Sequence, residues 1–197
     1  LVCMSYQAKS ECVILLHGLA RSASSMEKLA DRLSEAQYTV INVDYPSRYY
    51  DIAQLAKMAI DKGLAACNDT KVNFVTHSLG GILVRQYFSE HPLNNLHRVV
   101  MLGPPNQGSE VVDKLSAFPG FYLLNGDAGM QLGTGKASMP NLLGEVNFDL
   151  GIIAGTQSIN WILSLLIPDV DDGKVAVART KISGMNDHIS LETTHTF

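Results

Sequence analysis

The chain of 197 residues is short of charge, short of cysteine and without a long apolar run, and each shortage removes a class of function. Only 17% of its residues are charged and the net charge is -4, so it offers no polybasic surface of the kind nucleic acid requires. The longest apolar stretches, Cys12 to Leu16 and Ile159 to Ile167, fall well below the ~20 residues that cross a hydrocarbon core. Three cysteines, Cys3, Cys12 and Cys67, share no C-x-x-C spacing and have no histidine pattern beside them, so no metal is expected. No Gly-rich nucleotide loop or flavin fingerprint is present, which leaves cofactor chemistry without a foothold.

What is there is a rhythm. Cys12 to Leu16 is an apolar, β-branched run ending at His17-Gly18, the pattern of a strand covered on both faces. From Ser24 the apolar positions Met26, Leu29, Ala30, Leu33 and Ala36 recur at helical spacing, with charge on the opposite side. Val40 to Val43 then reads as a strand, Ile52 to Ala66 as a helix, Val72 to Thr76 as a strand and Ile82 to Phe88 as a helix stopped by His91-Pro92. Arg98 to Leu102 reads as a further strand, closed by Gly103-Pro104-Pro105. This alternation predicts a single α/β domain over 1–197, a mostly parallel sheet with helices on both faces in three layers.

Residues 105–149 break the rhythm. They are rich in Gly, Asn, Pro and Ser, with a short helix near Val111 to Leu115, and read as a small cap or a loop at a pocket rim. Beyond them a strand is expected at Leu150 to Ala154, a short helix at Ser158 to Ile167, a last strand at Val175 to Ala178 and a brief edge strand at Ile189 to Thr194. Cys12 opens one strand and Cys67 closes the helix before another, so the two ends can meet; a disulfide and two buried free thiols both remain open. No signal peptide is legible, yet the chain begins at Leu1 rather than Met. That start, with the possible pairing, leans towards a periplasmic or secreted location, while the odd cysteine count permits the cytoplasm.

The strongest local signal is Thr76-His77-Ser78-Leu79-Gly80-Gly81, set between a predicted strand and a predicted helix. In a nucleophile elbow the serine sits on a turn so tight that residues two places away must be small. Gly80 meets that requirement downstream, and Thr76 stands upstream where Gly is usual. Such a turn exposes the Ser78 hydroxyl and leaves the first N–H groups of the helix, Leu79 among them, free to hold an oxyanion. A second donor is expected at Leu19, in His17-Gly18-Leu19-Ala20 after the first strand. His17 and Gly18 are read as supports of that loop beside the substrate, and His77 as a supporting neighbour that points away from Ser78.

Base and acid follow the serine in this architecture, in the order Ser, acid, His. The histidines after the late strand are His188 and His195. The acid is sought in Pro168-Asp169-Val170-Asp171-Asp172-Gly173-Lys174-Val175, with Asp172 preferred and Asp171 next. Its work is to fix the imidazole tautomer and stabilise the imidazolium.

Taken together, V-I-L-L-H-G, T-H-S-L-G-G and D-G-K-V resemble the small bacterial esterases and lipases of the α/β-hydrolase superfamily. The resemblance covers most of residues 12–197, weakly between Pro105 and Asp149. It implies that the acid is followed by a strand, a Gly-containing turn, another strand and then the histidine, an order repeated by Asp172, Val175, Gly184, Ile189 and His195. That order favours His195 over His188. It also sets Gly103 to Ser109 near the pocket rim, and relatives continue past this histidine into a final helix.

The reading is therefore a serine carboxylester hydrolase working through an acyl-enzyme, monomeric, with a small-molecule or lipid ester as substrate. Acyl transfer or thioester cleavage on the same fold, or a binding protein that keeps the fold without the chemistry, are the alternatives. Trp161, Ile162, Leu165 and Leu166 offer an acyl wall, although their helical spacing fits a core-facing stripe better.

Overall fold

Cys12–Leu16, the first strand (β1), is buried at all five positions, because it lies in the middle of the sheet with side chains entering two separate apolar layers. In the computed structural model, which describes residues 10–67, 70–158 and 161–196, Val13 and Leu15 pack with Met26 on one face. Cys12, Ile14 and Leu16 enter the larger core on the other face with Ile52, Leu55, Phe74, Leu79 and Leu83. Leu29, Ala30 and Leu33 of helix α1 (Glu27–Glu35) complete the first layer. Helices α2 (Ile52–Ala66) and α3 (Leu79–Glu90) supply the second.

The strands β2 (Thr39–Val43), β3 (Val72–His77), β4 (Leu96–Leu102), β5 (Leu150–Gly155) and β6 (Asp187–Leu191) join β1 in the order β2-β1-β3-β4-β5-β6, and every pairing is parallel. Helices therefore cover both faces, as the alternation required. Helix α2 starts on a capping box in which Asp51 takes the Gln54 N–H and Gln54 answers the Asp51 N–H. Cys12 and Cys67 are joined as a disulfide with Cα atoms 5.9 Å apart, tying the start of β1 to the end of α2; Cys3 lies outside the described residues. No described helix is long and apolar enough to cross a membrane.

Two expectations are corrected. The excursion after Pro105 holds three short helices, α4 (Glu110–Leu115), α5 (Phe121–Met130) and α6 (Met139–Leu142), of which only the first was legible. Helix α5 is kinked at Gly126, where φ is 63°, and this break erases a single helical period. Val175 to Ala178 is not a strand: Val177–Thr180 forms the short helix α8. The cause is local, since Val175 is held in a turn by Asp172, and Val177 N–H reaches back to the Val170 carbonyl at 2.8 Å. An apolar run of four is too short for its period to separate strand from helix. The expected helix at Ser158 to Ile167 is Trp161–Ser164 (α7) in the described part, with Ile159 and Asn160 outside it.

Candidate active site

The turn from β3 into α3 forces Ser78 to φ 51° and ψ -116°, a left-handed backbone that a residue with a side chain adopts at a cost of roughly 1–3 kcal/mol. The turn is tight because α3 packs straight back onto β1: a Cβ on Gly80 would lie 2.7 Å from the Leu16 carbonyl oxygen. Thr76, fully buried, fills the place upstream of the serine, and its hydroxyl has no partner among the described residues.

Ser78 does not stand alone. Its Oγ lies 3.0 Å from His195 Nε2, and His195 Nδ1 lies 2.7 Å from Asp172 Oδ2. The other carboxylate oxygen of Asp172 accepts the backbone N–H groups of Lys174 at 3.0 Å and Val175 at 2.9 Å. Asp172, 2% exposed, thus sits in a loop beyond the end of β5 with both oxygens engaged. His195 is 6% exposed, and its own N–H donates to the Asp172 carbonyl at 2.9 Å. The runner-up acid, Asp171, instead takes the Ser164 hydroxyl at 2.8 Å and the Gly173 N–H at 2.6 Å. His188 pairs with the Thr180 hydroxyl at 2.8 Å on β6, away from Ser78.

His77 is turned away from Ser78 and onto His195. Its Nε2–H donates to the His195 carbonyl at 2.7 Å, and the two rings lie 4.9 Å apart. Burial, with the neighbouring His195 adding to it, lowers the His77 pKa to about 4, so the ring is neutral in the folded protein. His195 is consequently pinned through its backbone on both sides, by the residue bearing the carboxylate and by the residue before the serine.

The loop after β1 is held from beneath. His17, fully buried, donates from Nδ1 to the Gly18 carbonyl at 2.9 Å, takes the Tyr45 N–H at 3.3 Å and stacks on the Tyr45 ring at 4.0 Å. The Tyr45 hydroxyl donates to the His17 carbonyl, and Ser47 Oγ accepts the Ala20 N–H at 3.0 Å. Gly18 lets this loop pass against the elbow, for a Cβ there would meet His77 Nδ1 at 2.8 Å. Neither the Leu19 nor the Leu79 N–H has a protein acceptor among the described residues.

Ser78 and His195 open into a cavity of 270 Å³ lined mainly by apolar side chains, including Val112, Leu115, Phe121, Leu124 and Leu132. Leu19 and His77 line it as well, whereas His17 and Gly18 do not and lie in the loop beneath it. Most of the wall comes from the excursion between residues 105 and 149, of whose helices only Val111 to Leu115 was expected. Pro105 and Ser109 of the Gly103 to Ser109 segment also face the cavity. On α7 the wall residue is Leu163; Ile162 and Leu165 are 58% and 75% exposed, so neither the wall nor the core reading of them holds, and the Trp161 side chain lies outside the described part. A larger groove of 590 Å³ between α2 and α3 carries none of these groups. No cluster of metal-ligating side chains occurs among the described residues.

A family model described as the alpha/beta hydrolase fold matches residues 11–125. Among solved structures, the mature lipase BlEst2 of Bacillus licheniformis is 21% identical with a TM-score of 0.71, over 93% of this chain and 84% of that one. A metagenomic carboxyl esterase is 20% identical with a TM-score of 0.77, over 95% of this chain and 65% of that one. Phospholipase PlaB from Legionella pneumophila is 18% identical with a TM-score of 0.71, over 87% of this chain and 46% of that one. The chain thus spans under two thirds of the last two. At these identities the likeness is one of fold. A search of curated proteins finds no match.

Proposed function

The chain belongs to the α/β-hydrolase fold family, and on that premise we propose that it hydrolyses carboxylic esters through an acyl-enzyme. One observation carries the reading: the unbroken relay from Ser78 Oγ to His195 Nε2 at 3.0 Å and from His195 Nδ1 to Asp172 Oδ2 at 2.7 Å, at the mouth of an apolar cavity.

In this mechanism Ser78 attacks the ester carbonyl while His195 takes its proton. Asp172 accepts the Nδ1 hydrogen bond, fixes the tautomer and stabilises the imidazolium. The Leu19 and Leu79 N–H groups meet the oxyanion, a role for which donors without protein partners are required. Collapse of the tetrahedral intermediate breaks the bond to the alkoxide, which leaves with the proton from His195. Water, deprotonated by His195, then releases the acid and restores Ser78. The apolar wall suits the acyl chain.

Release of nitrophenol from esters of increasing acyl length, by the wild type and by Ser78→Ala in parallel, tests this. Turnover that disappears with the Ser78 hydroxyl is expected. Turnover that survives Ser78→Ala, or none on any ester, rejects the acyl-enzyme.

A further inference from the structure

Two cations of the cavity have no part in the mechanism above. Arg21 follows Leu19 by two residues and Lys174 follows Asp172 by two, and both line the cavity that holds Ser78 and His195. Neither forms an ion pair with a carboxylate among the described residues, in a chain where 19 acidic side chains outnumber 15 basic ones. The nearby acids make other contacts. Asp172 is spent on His195 and on two backbone N–H groups. Asp44, which shares a separate hollow with Arg21, takes the Ala23 N–H at 2.9 Å and lies 3.6 Å from His17 Nε2.

The two cations also feel each other. Desolvation by the packing beneath Lys174, and then the charge of Arg21, hold the Lys174 pKa below its usual value, with Asp172 pulling the other way. Like charges held together without a counter-ion are relieved by an anion. Their place says which part of a substrate brings it. The Arg21 guanidinium reaches the Thr196 hydroxyl at 3.4 Å, next to His195, and Lys174 adjoins Asp172. His195 returns its proton to the departing alcohol, so this is the alcohol side; the walls from Val112, Leu115, Phe121 and Leu132 carry no charge.

We propose that Arg21 and Lys174 select esters whose alcohol portion carries a phosphate or carboxylate group. The inference rests on the hydrolase reading for the direction of the ester, and its test separates the two. A nitrophenyl butyrate bearing a ring carboxylate is compared with its neutral carboxamide counterpart. A preference of about tenfold in kcat/KM for the anionic ester is expected, as two partly solvated cations at short range provide.

The preference should fade between about 10 mM and about 1 M salt, as the Debye length shrinks from about 30 Å to about 3 Å. In Arg21→Gln/Lys174→Gln the ratio of the two esters should fall to about one; because the readout is a ratio, a general loss of activity cancels. Calorimetric binding of both esters to Ser78→Ala reads the same preference without turnover. Parallel arms with a soluble dibutyryl glycerol phosphate and with phosphatidic acid vesicles identify a small ester or a membrane lipid as the source of the anion. Equal handling of the carboxylate and carboxamide esters, in turnover and in binding, overturns the proposal while leaving Ser78-dependent hydrolysis standing. Loss of ester turnover altogether, with the binding preference intact, instead counts against the hydrolase reading.

Discussion

Acidification tests the contact between His77 and His195, because the hydrogen bond from His77 Nε2–H to the His195 carbonyl belongs to a ring that burial keeps neutral. In the unfolded chain His77 takes a proton near its ordinary pKa of 6.5; in the folded protein it refuses one until about 4. Between those values the unfolded state binds more protons, so stability falls as pH falls, by up to about 1.4 kcal/mol per unit. The whole contribution is present above pH 6.5, is lost progressively down to pH 4, and amounts to about 3 kcal/mol.

Urea denaturation at a series of pH values, on the wild type and on His77→Gln, isolates this amount. Glutamine keeps an N–H donor for the carbonyl and does not titrate. His17, also held low by burial, and Glu11 and Asp61, whose pKa values are lowered chiefly by hydrogen bonds from Asn73 and Lys57, act in both proteins and cancel in the difference. The wild type should lose about 3 kcal/mol more than the variant between pH 6.5 and pH 4 at constant m. Parallel acid curves for the two would refute the reasoning, for His77 would then titrate as though exposed.

Three further outcomes are expected. Cys12→Ser with Cys67→Ser opens a loop of sequence separation 55 and should cost about 4 kcal/mol on the loop-entropy model, read as a fall in the urea midpoint of the oxidised protein relative to wild type. Thr76→Val removes a buried hydroxyl that has no partner while keeping its shape, and should raise stability by about 1 kcal/mol; a lower melting temperature would show that the hydroxyl is satisfied after all. Asp172→Asn keeps the packing but presents an amide to His195 Nδ1, and kcat on a nitrophenyl ester should drop by about 10⁴-fold, as it does when the orienting acid of a serine protease is so changed.

The layered sheet was legible because its inner strands are short apolar runs and its helices carry a regular stripe. Cys12 to Leu16 and Ile52 to Ala66 were placed residue for residue, since Gly18 follows the first and Asp51 caps the second. The helices of the excursion beyond Val111 to Leu115 were not legible, for a physical reason. Helices α4 and α5 turn Val111, Val112, Leu115, Phe121, Leu124 and Asn125 to the cavity, and the kink at Gly126 resets the period of α5 before it can register. Ile162 and Leu165 misled in the opposite sense, since helical spacing alone does not say which side of a short helix the protein covers.

The loop of Asp172 shows the same division on the smallest scale. The strand expected at Val175 to Ala178 is absent, whereas Asp172, read from the residues just before it, does face His195. A strand needs neighbours far away in sequence, and Val175 to Ala178 reveals nothing about whether a partner is there. An aspartate followed by glycine is different: the carboxylate can take the N–H groups two and three residues on, and a glycine beside it accepts φ 98°. Oδ1 of Asp172 is used up in that way, by Lys174 and Val175, and only Oδ2 is left to face His195. Asp171 takes its own turn contact from Gly173 N–H, together with the Ser164 hydroxyl, and so points away. Turn chemistry of this kind is local and therefore written in the sequence, whereas pairing and burial are long-range and are settled only when the sheet has closed.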